Sequence, residues 1–460
     1  MLKNGGKWWI LFVTTTATSI FMLDSTLIPV ALPIIQDRLG LSDIAVMWVL
    51  NSYLLALTAL LLLGGKLSEI FGFRAMFNLG LALFGAGALL CGLSWSVSVL
   101  IVARTIQGVG SALAFPASAA LLVSVFPPQE RARALGIDTG IASLFMIIGP
   151  LVGGLFAEYL SWRLIFFFYV PFVIFGLVMS YILVKKSRIV RTSIPIFATI
   201  LMIVGIVALV IGLMEGNRFG WDHPTVLILT SVGPLLMALF VLISLGSKKP
   251  LANFALFKNP LYLGAVSCRF IAYFIVAGTT LWIIYFEKSL QYTPAEIGIF
   301  ILVAAVPVVG LAPLAGLLAD KFWYRLPLIF GFSLLFLGLL WLAIFAHRDS
   351  LWILMPGLAA FGLSLPFVMA PTLGLGLTAA PPEQLGGAAG MMMSVRQLAS
   401  TLGVAMMTAI YYAALKSSDS EAAGFAFINY LAVLLALVAF LVAFFLVRRV
   451  HTLIKPHTHR

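Results

Sequence analysis

The chain has 460 residues, of which 62% are hydrophobic and 10% are charged, and its mean hydropathy is +1.12. Soluble domains have roughly a quarter charged residues. This composition therefore excludes a soluble enzyme, a nucleic-acid-binding domain and a disordered protein. The formal net charge of +12 comes from charges that lie in short clusters between apolar runs, as in membrane proteins. Cys91 and Cys268 lie far apart inside apolar runs, so we expect neither a disulfide nor a cysteine-based metal site.

Long apolar runs recur along the whole chain. A helix needs about 20 apolar residues to cross the roughly 30 Å of membrane hydrocarbon. Runs of this length predict an all-α integral membrane protein with about fourteen spans. The predicted spans are 9–31, 44–63, 76–95, 97–123, 135–157, 163–184, 194–214, 225–245, 261–286, 297–318, 326–346, 351–377, 386–414 and 424–447.

Lysine and arginine are distributed unequally between the two sets of loops. An even number of spans places both termini on one side of the membrane. The loops on that side hold 19 Lys and Arg residues, against 6 on the other side. Because positive loops stay inside the cell, both termini are predicted to be cytoplasmic.

A pattern of Gly-x-Leu-x-acid, ending in arginine, occurs at 65–74 and again at 316–325. The two copies match in position if spans 1–6 and 9–14 form equivalent bundles and spans 7 and 8 are an inserted pair. Repeated halves of this kind place a binding site at their interface and rock between two access states. The alternative is that Gly-rich basic turns occur wherever helices reverse at the cytoplasmic face. The predicted divisions are an N-terminal six-helix bundle over 1–190, two linking transmembrane helices over 191–250 and a C-terminal six-helix bundle over 251–460.

Four of the charged residues inside predicted spans stand out, namely Asp24, Arg104, Arg269 and Arg396. A charge at the bilayer centre costs at least about 2.5 kcal/mol on insertion scales, so each needs a reason. A rise of 1.5 Å per residue places Asp24 about 22 Å and Arg104 about 20 Å above the cytoplasmic face. These similar depths allow the two side chains to pair if spans 1 and 4 are neighbours.

Asp24 is the one carboxylate deep within a predicted span. Apolar burial favours the protonated carboxyl, whereas a nearby arginine favours the carboxylate. A group held between these influences can take up and release a proton as access alternates, as a proton-coupled carrier requires. The alternative is a static Asp24–Arg104 pair that only holds helices together.

The other membrane charges have more than one interpretation. Arg269 and Arg396 can satisfy backbone carbonyls or contact substrate. The structural interpretation is favoured for Arg269, while both stay open for Arg396. Asp138, near the inner end of span 5, is expected to pair with Arg74 or Arg131 at the interface.

Span 5 is rich in glycine around a proline, with Gly140, Gly149, Pro150, Gly153 and Gly154. Proline removes a helix hydrogen bond, and glycine lets a neighbouring backbone approach closely. We therefore predict a kinked, tightly packed segment that seals the two bundles against each other.

Together these patterns resemble the major facilitator superfamily and, within it, the fourteen-span drug:proton antiporters. The matching segments are 23–33, 65–74, 104–112, 140–154 and 396–405. The resemblance implies two six-helix bundles plus two extra transmembrane helices, in a bacterial inner (plasma) membrane. It also implies export of small molecules driven by inward proton flow, with Asp24 and Arg104 in the proton path.

The chain departs from the family pattern at four places, and at the first of them Pro29 stands where the family usually has Asn. Glu69 stands where the family usually has Asp, and Ile70 replaces a basic residue, so a weaker cytoplasmic charge lock is expected. Trp323 replaces a glycine in the second copy of the repeated pattern.

The sequence also proposes residues for the substrate cavity and for conformational change. The Met run at 391–393 could line a pocket, although filling a core is the favoured interpretation. The cavity candidates are Gln107, Arg269, Met392 and Arg396, and the gating candidates are Gly65, Glu69, Gly72, Arg74, Asp138, Gly149, Pro150, Gly153, Gly154 and Asp320.

Several functions remain open at this point. The leading one is a proton-coupled exporter of drugs or other amphipathic molecules. An exporter of an anionic metabolite or siderophore is an alternative, because three membrane arginines and one carboxylate suit a cationic drug poorly. A uniporter or uptake symporter on the same fold is another. An ATP-driven pump subunit or a membrane enzyme is disfavoured, since no GxxxxGK[ST] motif or catalytic cluster occurs.

The sequence predicts no cofactor and no metal, with the proton as coupling ion. The expected partners are a small-molecule substrate and the lipid bilayer, without nucleic acid, and the expected state is a monomer.

Overall fold

In the computed structural model, the described residues are 6–185, 193–247, 249–292, 294–348, 350–418 and 420–448. These residues form fifteen α-helices and no strand. The helices are α1 (Gly6–Leu39), α2 (Asp43–Phe71), α3 (Phe73–Gly92), α4 (Val97–Val125), α5 (Arg131–Leu155), α6 (Trp162–Leu183), α7 (Ile196–Phe219), α8 (Pro224–Gly246), α9 (Pro260–Gly278), α10 (Thr280–Lys288), α11 (Pro294–Phe322), α12 (Arg325–Ile344), α13 (Leu351–Thr378), α14 (Leu385–Ser418) and α15 (Glu421–Leu446).

Fourteen segments of the described chain are long and apolar enough to cross a bilayer, which confirms the predicted number of spans. Helices α9 and α10 together form one of these segments, Pro260–Lys288. Large apolar side chains such as Leu235 and Leu242 on α8 are exposed, as expected where lipid covers the protein. The chain is therefore a multi-pass membrane protein. Some of the Lys and Arg residues used to predict orientation lie outside the described residues.

Two groups of six spans each pack mainly within themselves. In the first half α4 packs against α2 and α3, and α5 packs against α1. In the second half α12 packs against α13 and α15, and α9 packs against α14. The halves meet chiefly where α5 contacts α11 and where α2 contacts α14.

The inserted pair, α7 and α8, lies beside one contact between the halves. The two helices pack against each other, and α7 also packs against α2. A separate apolar cluster joins Ala59 and Leu62 of α2 to Met202 of α7 and Phe240 of α8, and Leu398 of α14 packs against it. The extra helices are thus held by side-chain packing as well as by the chain connection.

We call the side on which α1 begins and α15 ends the terminal side. There glycines bring the halves into close contact. A β-carbon on Gly65 would overlap the carbonyl oxygen of Gly386, and one on Gly316 would overlap that of Ala132. A larger residue at either position would force the helices apart, so the repeated pattern closes the terminal side in this structure.

The contacts of α5 differ in part from the predicted seal between the two bundles. Gly149 and Gly153 pack against α1 in the same half, and a β-carbon on Gly154 would meet nothing within 4 Å. The glycines that meet the other half are Gly136 and Gly140, which lie against α11. The predicted seal is therefore borne out at Gly140 but wrong for the 149–154 part of the segment in this conformation.

The helical period explains this outcome. Nine residues separate Gly140 from Gly149. At about 100° per residue they lie on opposite faces of α5. One face therefore meets α11 and the other meets α1, while Pro150 is exposed.

The tight turn within each copy of the repeated pattern contains a residue with a positive φ. Gly72 has a φ of 93° and the equivalent Trp323 has a φ of 71°. Glycine adopts such angles without steric cost, whereas a residue with a β-carbon is strained. The positive φ is thus kept in the second half although its glycine is not.

Candidate functional site

Asp24 of α1 and Arg104 of α4 form an ion pair inside the first half. Arg104 Nη1 donates to Asp24 Oδ1 at 2.8 Å and to Oδ2 at 3.0 Å. Both side chains are completely buried. Arg104 Nε also donates to the Val49 carbonyl oxygen of α2 at 3.4 Å. The similar depths read from the sequence do correspond to a direct contact.

Polar and aromatic neighbours surround the arginine. Gln107 Oε1 accepts from Arg104 Nη1 at 3.0 Å and from Cys91 Sγ at 3.4 Å. The Arg104 guanidinium lies 4.4 Å from the centre of the Tyr53 ring, and the Tyr53 hydroxyl lies 3.2 Å from Ser111 Oγ. Sequence reasoning missed Tyr53, although a tyrosine in an apolar span was a usable signal, because a buried hydroxyl needs a partner.

Small residues explain why α4 can carry this pair. Gly108 lies against the Tyr53 carbonyl of α2, and Gly110 lies against Gly80 and Phe84 of α3. This close packing buries most of α4 among its neighbours. The small-residue face therefore places Arg104 at the centre of the first half, away from lipid.

Two donors of the cluster have no hydrogen-bond partner among the described residues. They are Arg104 Nη2 and Gln107 Nε2, and both atoms are buried. A buried donor without a partner costs about 1–3 kcal/mol. The cluster can therefore bind one more acceptor, beyond Asp24, without breaking the existing bonds. Gln107 itself is fully buried, so it does not face an open cavity in this conformation.

The contacts of Asp138 differ from the predicted ion pair. Its Oδ1 accepts a hydrogen bond from Thr15 Oγ1 of α1 at 2.9 Å. Arg74 donates to the Tyr181 carbonyl and Arg131 donates to the Phe126 carbonyl. No ion pair joins Asp138 to either arginine in the described part of the chain. Because α5 turns Asp138 toward α1, the predicted interfacial ion pair is wrong.

Arg269 of α9 is bound by the second half. Its Nε donates to the Met392 carbonyl at 3.0 Å and its Nη1 to the Met369 carbonyl at 3.2 Å. The side chain is 2% exposed. These contacts agree with the structural interpretation. The Met392 side chain is completely buried beside Gly376, so it fills a core in this conformation and does not line a cavity.

Arg396 of α14 lies between the halves. Its guanidinium is 5.1 Å from the ring centre of Phe115 on α4 and 5.6 Å from that of Tyr273 on α9. The side chain is half-buried. Of the four predicted cavity residues, Arg396 alone combines partial exposure with a position between the halves.

On the terminal side, acidic residues of each half bind the start of a helix in the other. Glu69 Oε1 accepts from the Gly387 N–H of α14 at 2.6 Å. Asp320 accepts from the backbone N–H groups of Ala132 at 3.0 Å and Arg133 at 2.8 Å, at the start of α5. Carboxylates are favoured at helix N-termini because the first N–H groups lack intrahelical partners.

Glu69 also has a basic partner. Lys66 Nζ lies 2.9 Å from Glu69 Oε2, one helical turn earlier on α2. Lys66 therefore gives Glu69 a positively charged partner on its own helix. Glu69 is nearly fully buried, so this contact is shielded from solvent.

Fourteen spans in two packed halves, with an ion pair buried inside the first, have the architecture of a membrane transporter. The chain belongs to the Major Facilitator Superfamily, whose sequence profile matches residues 14–404 and 265–459. The family match places the chain among transporters and not enzymes. The family and the fold suggested by the sequence patterns are both confirmed.

The similar curated proteins are transporters, and several are named for drug or antibiotic resistance. The chain is 32% identical to the multidrug resistance protein Stp of Mycobacterium tuberculosis, over 89% of this chain and 77% of that one. It is 31% identical to the tetracenomycin C resistance and export protein of Streptomyces glaucescens, over 88% and 76%. It is also 31% identical to a puromycin resistance protein of Streptomyces alboniger, over 88% and 82%.

Solved structures share the fold at low sequence identity. The human organic anion transporter MFSD10 aligns with a TM-score of 0.67 and 16% identity, covering 95% of this chain and 99% of that one. The proton:xylose symporter XylE aligns with a TM-score of 0.66 and 16% identity, covering 94% of each chain. These likenesses establish the two-bundle architecture.

Proposed function

We propose that this protein is a proton-coupled exporter of small amphipathic molecules that works by alternating access. Asp24 binds and releases the proton, and Arg104 is the positively charged partner with which the Asp24 carboxylate pairs. The observation that carries the proposal is the buried Asp24–Arg104 ion pair, with Gln107 bonded to the same guanidinium nitrogen. The resistance and export proteins among the relatives support the direction of transport.

Protonation of Asp24 changes the charge of the cluster. The carboxylate offsets the positive charge of Arg104, and a protonated carboxyl does not. A guanidinium left without its counter-charge in a buried site is strongly disfavoured. Proton uptake therefore favours a rearrangement of α1 against α4, and the return of the carboxylate favours the paired state. Proton movement and substrate movement are coupled if the Asp24–Arg104 ion pair forms in only one of the two access states.

The terminal side supplies the second element of the mechanism. Glu69 and Asp320 close that side by binding helix starts across the two halves. We propose that this is the cytoplasmic side of a bacterial inner membrane, and that both contacts break when the carrier opens inward. The moving bodies are then the halves 1–190 and 251–460, with 191–250 as the linking pair, and the carrier works as a monomer.

Proteoliposomes with an imposed pH gradient test the proposal. Puromycin and tetracenomycin C are suitable first substrates because relatives are named for them. Wild-type protein should move at least one of them against protons, and collapsing the gradient should stop accumulation. Asp24→Asn should abolish the accumulation while leaving exchange of labelled for unlabelled substrate. Asp37→Asn is the matched control, because that carboxyl lies on the same helix α1 but is exposed.

Each alternative gives a different result. Transport of substrate down its own gradient, at a rate that does not depend on the pH gradient, indicates a uniporter. Accumulation of substrate on the side toward which protons flow indicates an uptake symporter. Coupled transport of wild-type magnitude in Asp24→Asn would contradict Asp24 as the proton carrier.

A further inference from the structure

We propose that Arg396 is the anion-binding group of a substrate site between the two halves. Its preferred ligands are amphipathic organic anions with a carboxylate or sulfonate and a flat apolar body. This inference rests on the proposed export function and adds the chemical class of its substrate.

Arg269 and Arg396 both lie over the ring of Tyr273, at 5.0 and 5.6 Å from its centre. Arg269 donates to the carbonyl oxygens of Met392 and Met369 and is almost fully buried. Arg396 has no hydrogen-bond or ion-pair partner among the described residues and is half-buried. One arginine is therefore satisfied by the protein, while the other keeps its N–H donors for a ligand.

The local charge favours a negative ligand. In the described part of the chain, the one carboxylate paired with a membrane arginine is Asp24, and it is bound to Arg104. Carbonyl groups bind Arg269 without neutralising it. Two positive charges therefore face the Tyr273 ring from a partly desolvated site, where charges interact more strongly than in water. An anion placed beside Arg396 relieves this repulsion, and a cation adds to it.

The shape of the contacts indicates the rest of the ligand. Phe115 of the first half and Tyr273 of the second flank the guanidinium, and Phe270 stacks on Phe274 one turn away. Guanidinium groups bind carboxylates, and tetrahedral oxyanions such as phosphate, with two parallel hydrogen bonds. A ligand with an acidic group and an aromatic body satisfies both the donors and the rings.

Two fluorescent probes of matched shape test this inference. 8-Anilinonaphthalene-1-sulfonate carries a sulfonate, and N-phenyl-1-naphthylamine is its neutral analogue. Binding is measured on the full-length protein in phosphatidylcholine nanodiscs, with the signal of empty nanodiscs subtracted. The variants are Arg396→Gln and Arg396→Lys. Arg163→Gln is the control, since Arg163 also lies over an aromatic ring, that of Trp162, but outside the contact between the halves.

We expect wild-type protein to bind the sulfonate at least tenfold more tightly than the neutral analogue. Charge-assisted hydrogen bonds are about twice as strong as neutral ones. Arg396→Gln should therefore lose about tenfold in sulfonate affinity and change affinity for the neutral probe less than twofold. Arg396→Lys should keep the preference at reduced affinity, and Arg163→Gln should behave like the wild type.

Three outcomes would overturn the inference. One is a wild-type protein with no preference for the sulfonate. Another is an Arg396→Gln protein that keeps the preference. The third is an equal loss of both probes, which would give Arg396 a role in shaping the site only. These binding results do not depend on proton coupling, so the proposed export mechanism can fail in the pH-gradient assay while the anion preference stands.

Discussion

Glu69 and Asp320 occupy equivalent positions in the two halves, and each carboxylate accepts hydrogen bonds from the first turn of a helix in the opposite half. Glu69 binds the start of α14, and Asp320 binds the start of α5. The repeated sequence pattern therefore produces a reciprocal pair of contacts. Both contacts lie on the terminal side and both must break for that side to open.

Removing either charge should loosen this closure. Glu69→Gln and Asp320→Asn keep the side-chain size and lose the charge, which is worth about 0.3–1 kcal/mol at a helix N-terminus. We expect faster hydrogen exchange in peptides covering 385–390 for the first variant and 131–136 for the second, and a larger effect in the double variant. Glu383→Gln is the control, because that side chain is exposed. Unchanged exchange in both variants would show that glycine packing alone holds the side closed.

The Asp24–Arg104 pair can be tested by a double-mutant cycle. Removing one partner of a buried ion pair costs about 3–5 kcal/mol, because the other charge is left uncompensated. Asp24→Asn and Arg104→Gln should each lower the unfolding midpoint of purified protein, and the double variant should cost less than the sum. We also expect the double variant to remain inactive in coupled transport. Recovery of transport together with stability would favour a static pair.

Alanine substitutions at Gly316 and Gly310 of α11 should have opposite effects on the stability of the protein. A β-carbon at position 316 would overlap the Ala132 carbonyl of α5, whereas at position 310 it would meet nothing within 4 Å. Gly316→Ala should therefore lower the thermal midpoint, since the two halves must separate. Gly310→Ala should leave it unchanged or raise it, because alanine is favoured over glycine in helices by up to about 1 kcal/mol. Midpoints that move in the same direction would argue against close packing at position 316.

The left-handed conformation of Trp323 should cost stability. Two variants remove the indole equally but differ in backbone preference. Trp323→Gly fits a φ of 71° without strain, and Trp323→Ala does not. We expect Trp323→Gly to be about 1 kcal/mol more stable than Trp323→Ala in denaturant unfolding, which matches the cost of a left-handed residue with a β-carbon. Equal stability of the two variants would show that the turn relaxes when the indole is absent.

Much of the architecture could be read from the sequence because it depends on local quantities. The length of an apolar run determines whether a helix can cross a bilayer, and this predicted fourteen spans. The rise per residue placed Asp24 and Arg104 at one depth, and they are in contact. The repeated pattern at 65–74 and 316–325 predicted two related halves, with an acidic residue of each near the terminal side.

The partners of individual side chains required the tertiary structure. Sequence predicted that the glycines from Gly140 to Gly154 seal the bundles, but Gly149 and Gly153 pack against α1, and only the face carrying Gly140 meets the other half. It favoured a structural role for Arg269 but could not name the partners, because the carbonyl oxygens that bind Arg269 come from α13 and α14, far along the chain. It left the role of Arg396 open. Composition and spacing determine which helices form and how deep their charges lie. Only packing decides which face of each helix turns toward a neighbour, because helix rotation depends on contacts between residues distant in sequence.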